Sequence, residues 1–151
     1  MKIFFFLFLF ISLYSKDIIG SIDKLDLLDL NLQNLETRVD TGATNSSLHC
    51  TNIEKIDDNF VKFKVLGDKF FVKPISKIKE VKSSNGVSQN RFFIKTQIII
   101  FGKTYISELS LNDRSSMSYP LLLGRDILVQ DFIVDVSQKN LSFNLKESIK
   151  D

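Results

Sequence analysis

The stretch Thr37-Arg38-Val39-Asp40-Thr41-Gly42-Ala43 has the residue types of an acid/base site. A carboxylate that moves protons must be held on a rigid turn and aimed at a cleft. Here an apolar residue, Val39, leads into Asp40, and the small residues Gly42 and Ala43 follow Thr41. The Thr41 hydroxyl can bond nearby backbone, and Gly42 lets the chain approach a partner closely or take a positive φ. Asp, Thr and Gly are equally the residues of an ordinary surface turn. The tripeptide therefore decides nothing by itself, and its surroundings must.

A second element lies far downstream, Tyr119-Pro120-Leu121-Leu122-Leu123-Gly124-Arg125-Asp126. An apolar run ending in Gly-Arg-Asp, after an Asp-Thr-Gly-Ala loop, resembles the retropepsin-like aspartic proteases. That resemblance implies that the apolar strand crosses behind the catalytic loop and that Arg125 opens a short helix. Further motifs narrow it: Val81-Lys82-Ser83-Ser84-Asn85-Gly86, Arg91, Leu111-Asn112-Asp113-Arg114 with Met117, and Phe132-Ile133-Val134-Asp135. With Ile19-Gly20 and Asp26-Leu27-Leu28-Asp29-Leu30, these are similar to the bacterial group labelled "ATP-dependent zinc protease", associated with RimK and LysX. The resemblance runs from Ile19 to Ser137 and implies peptide-bond hydrolysis.

That chemistry needs two carboxylates close together, which share one proton because both cannot ionise at short range. One then activates water as general base, while the other serves the carbonyl oxygen. This chain has one Asp-Thr-Gly; Asp113, Asp126, Asp131 and Asp135 lack the loop. The economical solution is a two-fold homodimer in which Asp40 of each copy meets at the axis. Thr41 would then link the two loops, and Arg125 would brace its own lobe. In the family, a carboxylate shortly after the loop often pairs with that arginine; here those positions are Thr44 and Asn45. The polar stretch from Ser83 to Asn90 reads by itself as a hairpin tip. The resemblance makes Ser83, Ser84, Asn85 and Gly86 a flap over bound peptide. Two alternatives stand beside an endopeptidase: a peptide-binding module that keeps the fold without cleaving, and an ATP- or metal-dependent hydrolase.

The elements that must position these residues read as strands. Leu35, Thr37 and Val39 alternate with Glu36 and Arg38, the period of a half-buried strand entering the loop. Ser46 to Cys50 resumes a strand. Asn59 to Leu66 and Phe70 to Val72 form a hairpin around Gly67-Asp68, ended by Pro74. Thr96 to Phe101 and Tyr105 to Leu111 form another about Gly102-Lys103. Leu121 to Leu123 is a buried crossing strand, and Arg125 to Gln130 a short helix with Asp126 favourably near its start. Phe132 to Val136 and Leu141 to Leu145 are expected as a closing hairpin, with Lys146 to Asp151 a polar tail. The expected fold is all-β, a partly closed retropepsin-like barrel with one short helix near the C-terminus.

The 151 residues suffice for one domain with a real core, and the 14 Phe residues fit as its core and strand residues. Net charge is +2 with both signs scattered, and no basic block points to nucleic acid. Lys2 followed by the apolar run from Ile3 to Tyr14 reads as a secretory signal, residues 1–15, or as an N-terminal anchor. It is shorter than the about 20 residues that span a bilayer. Residues 16–151 form the domain, expected to be exported, in a periplasm, with membrane contact only through an uncleaved N-terminal segment. Cys50 is the only cysteine and His49 the only histidine. A zinc site usually needs three or four protein ligands, and adjacent strand residues face opposite ways. No metal or cofactor is expected, and no phosphate-binding Gly-rich loop or zincin motif occurs.

Overall fold

The computed structural model describes residues 15–67, 69–82, 88–113, 115 and 118–150. The flap residues Ser83, Ser84, Asn85 and Gly86, the segment 1–14, Arg114 and Met117 lie outside the described residues. In chain order the elements are β1 (Asp17–Leu27), a 3-10 turn (Leu28–Leu30), β2 (Leu32–Val39), β3 (Ser47–His49) and β4 (Thr51–Lys55). Next come β5 (Phe60–Lys64), β6 (Phe70–Pro74), β7 (Lys77–Lys82), β8 (Ser88–Ile100) and β9 (Lys103–Asn112). The chain ends with β10 (Leu121–Leu123), α1 (Arg125–Asp131), β11 (Phe132–Lys139) and α2 (Leu141–Ser148).

Alternation builds the sheet. In β2, Leu35, Thr37 and Val39 are buried while Glu36 and Arg38 are exposed, so one face meets the core. The main sheet runs β11-β1-β2-β10-β3-β9-β8-β7, and β1 also pairs with β8. That extra pairing, Asp26 opposite Ile99 and Leu27 opposite Ile98, curls the sheet back on itself. The result is the expected partly closed barrel, with β11 and β7 as flanks. A second sheet, β4-β5-β6, closes one side by sending Val61, Phe63 and Phe71 into the shared core. All three β10 residues are buried, as a strand crossing between β2 and β3 must be.

The C-terminus departs from expectation. Leu141 to Leu145 is helical, the start of α2, and Lys146 belongs to that helix. β11 pairs in parallel with β1 rather than in a closing hairpin. Leu141, Phe143 and Leu145 alternate with polar residues, which reads locally as a strand. What overrides this is a cap from far away: buried Asp23 accepts the N–H groups of Ser142 at 2.9 Å and Phe143 at 3.0 Å. First-turn N–H groups have no partner within a helix, and a carboxylate there satisfies them and favours the helix dipole. Lys146 then pairs with Asp26 at 2.7 Å.

Candidate active site

β2 and β10 run parallel, with Thr37 opposite Leu121 and Val39 opposite Leu123. The chain leaves β2 at Asp40, whose N–H donates to the Leu123 carbonyl at 2.9 Å. The loop then folds onto its own carboxylate. Asp40 Oδ1 accepts the N–H of Gly42 at 2.9 Å and of Ala43 at 3.2 Å. Such local side-chain-to-backbone bonds are how Asp stabilises tight turns. Two donors on Oδ1 hold the carboxylate in one orientation, and Oδ2 has no partner among the described residues. Gly42 serves close approach rather than a positive φ: a Cβ there would lie 3.2 Å from Asp40 Oδ1, a tight contact that the carboxylate would have to yield to. Thr41 is exposed at the tip.

The crossing strand locks the loop from behind. A Cβ on Gly124 would come within 2.7 Å of the Asn45 carbonyl carbon and 2.9 Å of the Ser46 nitrogen, backbone atoms that cannot step aside. Arg125 N–H donates to the Ala43 carbonyl at 2.9 Å. The Arg125 guanidinium donates through Nη2 to Thr44 Oγ1 at 3.0 Å, so a hydroxyl stands where the family often has a carboxylate. Asp126 does more than favour a helix start. Its Oδ1 accepts the Ser46 N–H at 2.9 Å and hydroxyl at 2.8 Å, and its Oδ2 accepts the Ser107 hydroxyl at 3.0 Å. Sequence reasoning missed these bonds because they join three distant segments. The available signal was Ser46-Ser47, two serines in a segment expected as a strand, which the structure buries.

Two hollows flank the loop. On one side, a cleft of about 300 Å3 lies between residues 43–45 and the β7–β8 hairpin. Lys79 and Arg91 sit opposite each other across that hairpin and line the cleft together with Phe93. Among the described residues, no acidic side chain lines it, and Arg91 Nε is buried without a partner. On the other side, a hollow of about 440 Å3 adjoins Asp40 and Thr41 and is bounded by Arg38, Lys139 and Val136. Val136 is 77% exposed on β11, which ends the sheet.

The RimB-like profile, described as retropepsin-like aspartic endopeptidase RimB, matches residues 18–144. The chain belongs to the RimB-like family of retropepsin-like aspartic endopeptidases. It is 32% identical over 130 residues to a probable alpha-L-glutamate ligase of Parasynechococcus marenigrum (strain WH8102), covering 80% of this chain and 28% of that protein. It is 34% identical over 134 residues to one of Shewanella pealeana (strain ATCC 700345 / ANG-SQ1), covering 82% and 29%. The RimB-like chain thus spans less than a third of the length of these curated relatives. A crystal structure of a Legionella pneumophila protein of unknown function superposes with a TM-score of 0.71 at 29% identity, covering 85% of this chain and 99% of that one.

The RimB-like chain offers little to a metal near the loop. Cys50 is fully buried, and burial pushes its thiol far above the ordinary value, so the thiolate that ligates metals is disfavoured. His49 faces the other way, its Nδ1 3.8 Å from Asp113 Oδ1. The Ser115 hydroxyl and N–H hold that Asp113 carboxyl below its ordinary value. Among the described residues, no three His, Cys, Asp or Glu side chains gather as a metal site.

Proposed function

We propose that this RimB-like chain is an aspartic endopeptidase that works as a two-fold homodimer. The observation that carries the reading is the Asp40 carboxylate, oriented by the Gly42 and Ala43 N–H groups on a loop that β10 pins from behind. Each copy brings one such carboxylate, and a second copy supplies the other. The exposed Val136 and the outer edge of β11, unpaired among the described residues and beside Asp40, suit that second copy. In the dimer one Asp40 is ionised and takes a proton from water. The water oxygen attacks the peptide carbonyl carbon while the other Asp40, protonated, hydrogen-bonds the carbonyl oxygen. Collapse of the tetrahedral intermediate breaks the C–N bond, and the amine leaves with a proton from the dyad. The dyad titrates as a pair.

The cleft favours acidic peptides. Lys79 and Arg91 line it with no counter-charge among the described lining residues, and an anionic side chain would give Arg91 Nε an acceptor. The curated relatives are named for alpha-L-glutamate, which agrees with glutamate-containing peptides as substrates. Export through residues 1–15, with maturation near Lys16, completes the proposal; N-terminal sequencing of protein from the cell envelope tests it.

The deciding experiment is cleavage of a peptide library, weighted toward glutamate, by the mature protein and by Asp40→Asn. Turnover by the first and none by the second is expected. Binding without turnover by both would establish the peptide-binding module instead.

A further inference from the structure

We propose that Asp126 is a positioning residue for Asp40, resting on the reading of Asp40 above. The loop is anchored at its two ends by different means. At its start the anchor is backbone to backbone, Asp40 to Leu123, and many sequences could supply it. At its end a side chain joins the backbone bonds from the Arg125 N–H to the Ala43 carbonyl and from the Asp126 N–H to the Thr44 carbonyl. Asp126 Oδ1 takes both the N–H and the hydroxyl of Ser46, while Oδ2 takes the Ser107 hydroxyl of β9. Ser46 Oγ accepts the Gly124 N–H at 2.9 Å, so Asp126, Ser46 and Gly124 form a closed circuit joining loop, β10 and α1. The Ser46 carbonyl accepts the Ser110 N–H at 3.0 Å, which ties the same point to β9.

Asp126 lines neither hollow, and both its oxygens are engaged with protein donors, so it has no part in proton transfer. Its effect passes through the loop. The Gly42 and Ala43 N–H groups that orient Asp40 Oδ1 lie between the two anchors. Without the second anchor, the fully buried Ser46 N–H loses its acceptor and the loop gains slack. That slack reaches the carboxylate as misorientation. Asparagine can keep the anchor: its Oδ1 accepts both Ser46 donors, and its Nδ2 can donate to a reversed Ser107 hydroxyl. Alanine cannot.

The test compares full-length wild type with Asp126→Asn, Asp126→Ala and Ser107→Ala. Val61→Ala, in the core of the three-stranded sheet, controls for lost stability. Two readouts are used: hydrolysis of fluorogenic glutamate-containing peptides, and hydrogen exchange at the Gly42 and Ala43 amides. Asp126→Ala is expected to lower kcat about 10- to 100-fold with KM nearly unchanged, the scale of a small misplacement of a reacting group. It should also speed exchange at Gly42 and Ala43. Asp126→Asn should restore both readouts, and Val61→Ala should leave kcat and loop exchange as in wild type. If Asp126→Ala does not fold, Ser107→Ala, which removes one donor, should show a smaller change of the same kind. Unchanged kcat and loop exchange in the loosened variants, or an Asp126→Asn as impaired as Asp126→Ala, overturns the inference. A wild type that cleaves nothing overturns the endopeptidase reading instead, while amide exchange at Gly42 and Ala43 still decides the role of Asp126.

Discussion

The N–H of Asp40 donates to the carbonyl of Leu123 at 2.9 Å, so the loop carboxylate begins where the crossing strand ends. Leu123 is fully buried and the Asp40 side chain is half-buried at the rim of a hollow. The bond therefore links a rigid interior to a group that must meet substrate. A reacting group supported by packed backbone holds its geometry better than one on a free loop.

Replacing Asp40 by Asn should lower hydrolysis about 100- to 10,000-fold, the range typical of general acid/base assistance. Thermal unfolding should show a folded protein. If two Asp40 carboxylates meet in the dimer, their repulsion and shared proton are removed, so stability should hold or rise. Undiminished turnover by Asp40→Asn would sink the aspartic-endopeptidase proposal.

Activity per chain should fall on dilution, because dimers dissociate by mass action. Mixing wild type with excess Asp40→Asn should suppress activity further, since each mixed dimer has one competent carboxylate. Rate against concentration, read beside sedimentation, checks both. A monomer that retains full activity would rule out a shared dyad.

Reversing charge in the cleft, by Arg91→Glu or Lys79→Glu, should raise KM for acidic peptides roughly 10- to 100-fold, the worth of a charge-assisted hydrogen bond. Neutral peptides should be affected far less. Equal effects on both substrate classes would show that these side chains support the hairpin rather than select substrate.

Gly124→Ala should destabilise the protein by about 1–3 kcal/mol, the usual scale for forcing atoms into packed structure. The added Cβ meets Asn45 and Ser46 backbone rather than a flexible side chain. Denaturant titration measures the cost, and activity should fall with it because the displaced segment carries the candidate catalytic loop. A variant as stable and active as wild type would show that the loop can yield.

Activity should survive a strong chelator. The lone thiol, Cys50, is buried and protonated, and His49 Nδ1 lies 3.8 Å from Asp113 Oδ1. Hydrolysis assayed before and after chelation, with zinc restored, checks this. Loss reversed by zinc would mean that metal enters the reaction.

The amino-acid sequence by itself determined the alternation of β2 and β5, the hairpins that β6 and β9 complete, the Asp40 loop, the buried β10 and the helix opening at Arg125. These rest on neighbours in the chain: alternation sets which face is buried, and Asp-Thr-Gly-Ala has turn chemistry built in. Only the tertiary structure decided α2, because its cap, Asp23, lies 119 positions before Ser142. A local alternation of Leu141, Phe143 and Leu145 cannot reveal a distant carboxylate that satisfies helix N–H groups. The Ser46–Asp126 bonds, 80 positions apart, were hidden for the same reason. So was the cleft, where Lys79 and Arg91 become neighbours only when β7 and β8 pair. Local pattern specifies which faces a strand buries; which side chains then meet depends on which distant segments the fold brings together.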